Sequence, residues 1–340
     1  MRSWRTTGSS RRHTATITSR RRDIVPPFRR MRYPHRNTLI GLAFISPWLL
    51  GFALLVAWPF LASLYWSFCH YDLLSQPEWI GTANYERLYA DVRQGGRFTQ
   101  AMWNTAYYAL LAVPLSIALG VSLATLLSQN IQGRGVFRTL FYLPSALPTV
   151  ATAILWMWLL DPQSGWVNHA LHIAGVPRES LPLWLNSPRE GAWLPQLLDF
   201  GSKDALVLMS LWGVGNFVLI YSAALGEIAP SLYEAAQLDG AGPLRRFRHV
   251  TLPLLTPVIF FNLVMGLIQS VQAFTQIYLV SEGTGKPANS TLMLSLHLFL
   301  SAFQDLDIGY ASAVAWLLFL ILSVATWLLF RTSRRWVHYA

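Results

Sequence analysis

Cysteine is almost missing from this chain. Cys69 stands alone, so no internal disulfide and no CxxC-type metal site can form, and the residue reads as a small apolar side chain near a helix end. Charge is scarce as well: 12% of the 340 residues are Asp, Glu, Lys or Arg, against 53% hydrophobic residues, and a soluble domain carries about a quarter charged residues. The chain also lacks GxxxxGK[ST]. Its nearest approach, GTGKP at 283–287, has no Ser or Thr after Lys286, which excludes a P-loop ATP site in this chain. No HExxH pattern occurs, and His169 and His172 have no adjacent acidic motif, so no catalytic residue and no metal ligand is assigned.

What the sequence does contain is long uncharged runs. Segments 39–68, 101–128, 139–160, 205–226, 251–281 and 308–330 hold no Asp, Glu, Lys or Arg, and each reaches the roughly 20 helical residues that cross a bilayer. They are predicted to be helices, because lipid offers the backbone no hydrogen-bond partner and a barrel would show alternating strands of about ten residues. Pro47, Pro59, Pro114, Pro253 and Pro257 predict kinks or tilts in the first, second and fifth. A further uncharged stretch, 287–304, is interrupted by Asn289, Ser290, Ser295, His297, Ser301 and Gln304. Leu292, Leu296, Phe299 and Phe303 recur there at helical spacing, which predicts an amphipathic helix on the bundle or in the interface rather than a span. The fold class is therefore all-α: a polytopic membrane bundle of six transmembrane helices.

The formal net charge of +10 is explained by topology. With the N-terminus in the cytoplasm, 19 of the 26 basic residues fall in internal segments, but only four of the 16 acidic ones. That asymmetry follows the positive-inside rule and places both termini in the cytoplasm. The Arg-rich tail 1–36 has no apolar run and is predicted to be disordered; it also lacks the fold and interleaved aromatics of a nucleic-acid binder. The lipid bilayer is the partner of the positive charge, and no nucleic acid is expected. The domain reading is a tail at 1–36, a membrane domain at 37–335 with an internal loop at 227–250, and a short tail at 336–340.

Polar residues inside the spans are costly unless they face protein or water. In the fifth span Asn262, Gln269 and Gln276 repeat every seven residues, with Gln272 one turn from the latter two, and the fourth span offers Asn216 and Tyr221. Such a face either lines a pathway for a hydroxylated solute, for which amides and aromatics are suited, or bonds neighbouring helices. Trp156, Trp158 and Trp166 are expected as interfacial anchors.

The most informative stretch is GEIAPSLYEAAQLDGAGPLRRFRHVTLPLLTP at 226–257. Pro230 and Ser231 start a short helix whose Tyr233, Glu234, Ala235 and Ala236 offer small and acidic side chains. Gly240 stops it, and Gly242-Pro243 bends the chain. A helix of this kind, held between chain breakers, is shaped to dock in a groove of another protein. The stretch resembles the EAA loop of ABC-importer permeases, with Glu234, Ala235, Ala236, Gly240, Val250, Leu252 and Pro253 in the family's order and spacing, and with Asp239, Ala241, Phe247 and Pro257 as in its sugar-importer version. The resemblance extends through AFISPWLLGFALLVAWPFLASLYWSF, GTANYERLY, GRGVFRTLFYLPSALPTVATAILWMWLLDP and GYASAVAWLLFLIL. These look like the carbohydrate-uptake type, similar to the first subunit of the maltose and glycerol-3-phosphate permeases.

The resemblance implies a multi-pass inner-membrane transport subunit for a sugar or sugar-like solute, not itself an enzyme. It further implies a second homologous permease, a cytoplasmic ABC ATPase dimer and an extracytoplasmic solute-binding protein as partners. No cofactor is expected in this chain, because ATP sits in the partner subunits. Tyr233, Glu234, Ala235, Ala236, Asp239, Gly240, Ala241 and Pro253 are implied as the ATPase-coupling loop. A secondary solute transporter, not coupled to ATP, is the alternative. It ordinarily needs an intramembrane acid or ion site, and the six spans hold no Asp or Glu.

Overall fold

A computed structural model describes residues 35–129, 132–187 and 201–338, in two compact units that divide after Ala57. The tail 1–36 lies outside the described residues except for its last two, which already belong to a helix. In the first unit, α1 (His35–Phe52) leads into a π-helical turn, Ala53–Ala57. Its apolar side chains point outward, with Phe44, Trp48 and Leu55 exposed, as expected of a surface meant for something less polar than water.

The second unit opens with α2 (Trp58–Trp66) and a small hairpin, β1 (Cys69–His70) paired antiparallel with β2 (Glu78–Trp79). Next come α3 (Ala83–Gln94), α4 (Arg97–Ser128), α5 (Arg134–Tyr142) and α6 (Thr149–Leu159). They are followed by α7 (Trp166–Ile173), α8 (Ser202–Trp212), α9 (Gly215–Glu227) and α10 (Pro230–Leu238). The chain ends with α11 (Pro243–Arg246), α12 (Leu252–Val271), α13 (Thr275–Val280), α14 (Leu294–Phe303) and α15 (Ile308–Ser333).

Among the described residues four helical stretches are long and apolar enough to span a membrane: Ile40–Trp66, Arg97–Ser128, Pro243–Val280 and Ile308–Ser333. Two bent pairs raise the number to six if each pair is one span. The third expected span differs from the straight helix foreseen. Arg134–Ala146 and Thr149–Leu159 meet at 100°, because Pro148 drives Leu147 out of helical geometry to ψ 143. The fourth bends by 45° between Ser202–Trp212 and Gly215–Glu227, where Gly213 and Val214 separate the helices.

Helix α4 is the axis of the second unit, packing against α8, α9, α12 and α14. One apolar cluster joins Phe98, Ala101 and Tyr108 of α4 to Leu206, Leu296 and Val314. A second joins Val121, Ala124 and Leu127 to Val218, Tyr221 and Leu255. Buried polar groups on α4 hold the segment before α14: Asn104 donates to the carbonyls of Asn289 and Leu292, both at 2.8 Å, and Thr105 Oγ1 accepts from Leu294 N–H at 2.9 Å. These bonds satisfy backbone groups that would otherwise be stranded, which makes Asn104 a structural clamp.

Helix α14 is too short to cross a bilayer, at 10 residues. It is also less two-faced than its sequence pattern suggests. Leu296, His297, Leu300 and Ser301 are all buried, whereas Phe303 is 62% exposed. Burial pushes the His297 imidazole down to about 4, so this residue is the neutral, singly protonated imidazole at physiological pH.

The start of α9 lies against the end of α5. A Cβ on Gly215 would stand 2.5 Å from the Phe141 carbonyl oxygen and 2.9 Å from Tyr142 Cα, and backbone cannot yield as a side chain tip does. Gly215→Ala is therefore expected to pry the two helices apart at a cost of about 1–3 kcal/mol, read as a lowered thermal midpoint of the purified chain in detergent.

Candidate translocation pathway and coupling surface

Two regions gather the polar residues singled out above. The first is a cavity of about 540 Å³ between α4, the α8–α9 bend and α12, within the size range of small-molecule sites. Asn216, Asn262 and Gln269 line it, together with Tyr108, Ser116, Ser210, Phe217, Phe261, Met265 and Ser270. The amide faces of α9 and α12 thus converge. Asn262 is buried next to the Tyr221 hydroxyl, and neither its Nδ2 nor that hydroxyl completes a hydrogen bond of ordinary geometry, whereas Asn216 and Gln269 are exposed toward open space. An unpaired buried amide is expensive in an apolar surround; a hydroxylated guest or water in the cavity would satisfy it.

Three of the expected pathway residues stand elsewhere. Tyr221 is fully buried in the second apolar cluster beside Gly120, and it does not line the cavity although its hydroxyl neighbours Asn262. Gln272 ends α12 and lies at a separate small recess with Phe274 and Phe299. Gln276 sits on α13, beyond the break at 272–274, so the seven-residue repeat runs through Asn262 and Gln269 and is interrupted before the third amide. The aromatic and hydroxyl lining residues were missed because Phe, Met and Ser at such positions carry no sequence signal that separates a cavity wall from ordinary packing. Trp156 also differs from its expected role as an anchor: it is buried, edge-on to Trp212 at 5.0 Å. Trp158 and Trp166 are exposed and pair with each other at 6.0 Å.

The second region is the loop between α9 and α12. Pro230 opens α10, and the helix closes through Asp239 N–H to the Ala235 carbonyl, Gly240 N–H to Gln237 and Ala241 N–H to Ala236. Gly240 adopts φ +73, a left-handed C-terminal geometry that favours glycine. Gly242 and Pro243 then start α11, and a π turn, Phe247–Thr251, leads into α12, whose second residue is Pro253. Glu234, Ala235, Asp239 and Gly240 face solvent, as do Leu232, Leu238 and Leu244, while Ala236 and Ala241 are half-buried. Exposed leucines around small residues form a contact surface without a contact.

Tyr233 turns the other way. Its hydroxyl meets Thr251 Oγ1 at 3.0 Å, tying α10 to the base of α12, the helix that carries Asn262 and Gln269. Tyr233→Phe is expected to cost about 1 kcal/mol, visible as a small drop in thermal midpoint and as faster hydrogen exchange in α10.

His169 and His172 of α7 line a different cavity, of about 860 Å³, with Trp166 and Arg178. His172 Nδ1 lies 3.2 Å from the Val176 carbonyl. No group of His, Cys, Asp or Glu that could hold a metal ion is found among the described residues.

A helical bundle with up to six spans, an uncharged polar cavity against its long helix α4 and a short exposed helix on one loop is the architecture of a membrane transport subunit. The model of the family "Binding-protein-dependent transport system inner membrane component" matches residues 112–338, and this chain belongs to that family and is a multi-pass inner-membrane protein. The probable ABC transporter permease protein YesP of Bacillus subtilis is 38% identical over 92% of this chain and 96% of its own length. The lactose transport system permease protein LacF of Rhizobium radiobacter is 33% identical over 86% and 94%. Among solved structures, a bacterial ABC transporter that imports the acidic polysaccharide alginate contains a chain with the same fold. Its TM-score is 0.72 at 24% identity, with 88% of this chain and 96% of that chain covered.

Proposed function

We propose that this chain is the permease subunit of a binding-protein-dependent ABC importer. Together with a second permease it forms the route by which a sugar or sugar-like solute crosses the membrane. The observation that carries the solute class is the convergence of Asn216, Asn262 and Gln269 with Tyr108 and Phe217 on one cavity. Amides donate and accept toward hydroxyls, and aromatic faces stack on sugar rings. Relatives named for lactose, for starch degradation products and for trehalose/maltose support the class.

Energy comes from a separate ATPase dimer that receives α10, and an extracytoplasmic binding protein delivers the solute. The coupling residues are Tyr233, Glu234, Ala235, Ala236, Asp239, Gly240, Ala241 and Pro253. Both termini and the 227–250 loop are cytoplasmic in this reading, with residues 37–335 as the membrane domain. The chain itself binds no ATP and no cofactor. Uptake of labelled disaccharides and monosaccharides by proteoliposomes holding the complete complex tests the reading. Transport that requires ATP and the binding protein is the expected result, and solute uptake by this chain alone, driven by an ion gradient, would overturn it.

A further inference from the structure

Helix α5 has two faces. Arg134, Arg138 and Tyr142 follow one another at four-residue spacing along one side. Val136 and Leu140 cover the other, 65% and 57% exposed, a degree of exposure for large aliphatic residues that suits lipid rather than water. On the basic side, Arg138 and Tyr142 form a cavity of about 250 Å³ with Gly215, Val218, Leu219, Ser222 and Ala223 of α9. Ser222 Oγ, in this recess, is sealed from solvent with no hydrogen-bond partner. Arg138 is exposed and makes no ion pair with any described carboxylate. A guanidinium, a phenol and a buried hydroxyl converging at a small recess, with exposed aliphatic side chains alongside, call for a tetrahedral anion with hydrocarbon attached.

We propose that Arg138, Tyr142 and Ser222 bind the phosphate of an anionic phospholipid, whose chains lie along Leu143 and Leu219, the exposed aliphatic side chains at the recess. The site rests on the reading of this chain as a membrane bundle, but not on which solute it carries. Arginine fits because its fork holds two phosphate oxygens at once and remains charged at membrane depth, where a long side chain reaches the headgroup layer. The basic residues on the loops at this end of α4 and α9 attract the anionic leaflet in the same sense.

Native mass spectrometry of the full-length chain released from detergent, with phosphatidylglycerol or phosphatidylcholine added, tests the site. The expected result is that phosphatidylglycerol is retained and phosphatidylcholine is not, that Arg138→Gln lowers retention about tenfold, as loss of a charge-assisted contact implies, and that Arg138→Lys keeps part of it. Ser222→Ala should lower it less than Arg138→Gln, and Arg331→Gln, on α15, should leave it unchanged. Circular dichroism of each variant establishes that the helices are intact. Equal retention by wild type and Arg138→Gln, with both folded, would overturn the proposal. So would displacement of the lipid by glycerol phosphate alone at millimolar concentration, which would make the ligand a free phosphate, or by the transported sugar, which would make the recess part of the solute route.

Discussion

A chain carrying Glu234→Lys or Gly240→Asp is expected to insert normally and yet to transport almost nothing. Glu234 and Gly240 are both exposed on α10 and its terminus, and a Cβ on Gly240 would meet nothing within 4 Å. The second substitution therefore leaves the chain's own packing alone. Asp is also among the residues that enter left-handed geometry most readily, so its backbone cost is small. What changes, in the proposed reading, is the surface offered to the ATPase. The loss of a central contact residue costs about 2 kcal/mol or more, roughly thirtyfold in affinity. Co-purification of the ATPase and stimulation of its hydrolysis by loaded binding protein should both fall, with the amount of inserted permease unchanged. Normal coupling in either variant would remove α10 from energy transfer.

The second large effect is expected at the cavity. Asn262→Leu or Gln269→Leu should reduce transport about ten- to hundredfold, because a solute hydroxyl left without its partner costs about 1–3 kcal/mol. Binding of the ATPase should not change. In a chain freed of Cys69, single cysteines at Asn216, Asn262 and Gln269 should react with small aqueous thiol reagents in a nucleotide-dependent way, and solute should protect at least one. Leu263 and Leu267, turned around the same helix, should react less. A cysteine at Gln276, beyond the end of α12, should show no such protection. If all three cavity positions stay inert in every nucleotide state while transport continues, the amides are interhelical bonds and the solute passes elsewhere.

The sequence revealed some levels of this molecule better than others, for physical reasons. The uncharged runs were legible because the bilayer imposes one rule on every residue in them. The backbone of the 227–250 loop was legible because Pro230, Gly240, Gly242 and Pro243 dictate its geometry locally, and the α10 boundaries follow from them. The 100° bend at Leu147 and Pro148 was not foreseen. A proline in an apolar run can kink a helix or merely tilt it, and the outcome depends on what packs nearby. The register of the fifth span failed at Gln276 for a similar reason: no glycine or proline marks the break after α12, so periodicity was carried across a turn that only tertiary packing creates. Tyr221 was misplaced because a tyrosine facing a cavity and one filling a core look identical in sequence. Its burial comes from the close approach of Gly120 on α4, 101 positions earlier in the chain.

The π turn at Phe247–Thr251 stands directly below the cavity helix α12 and next to the Tyr233 bond. A π turn holds one more residue than an α turn over the same stretch of axis, and such turns occur often at functional sites. If that surplus residue is handed upward as the turn tightens, everything above it advances by about 1.5 Å and swivels by about 100°. The Tyr233–Thr251 hydroxyl pair joins α10 to that turn, so a displacement of α10 would reach the base of α12 at the point where its helical winding is loosest.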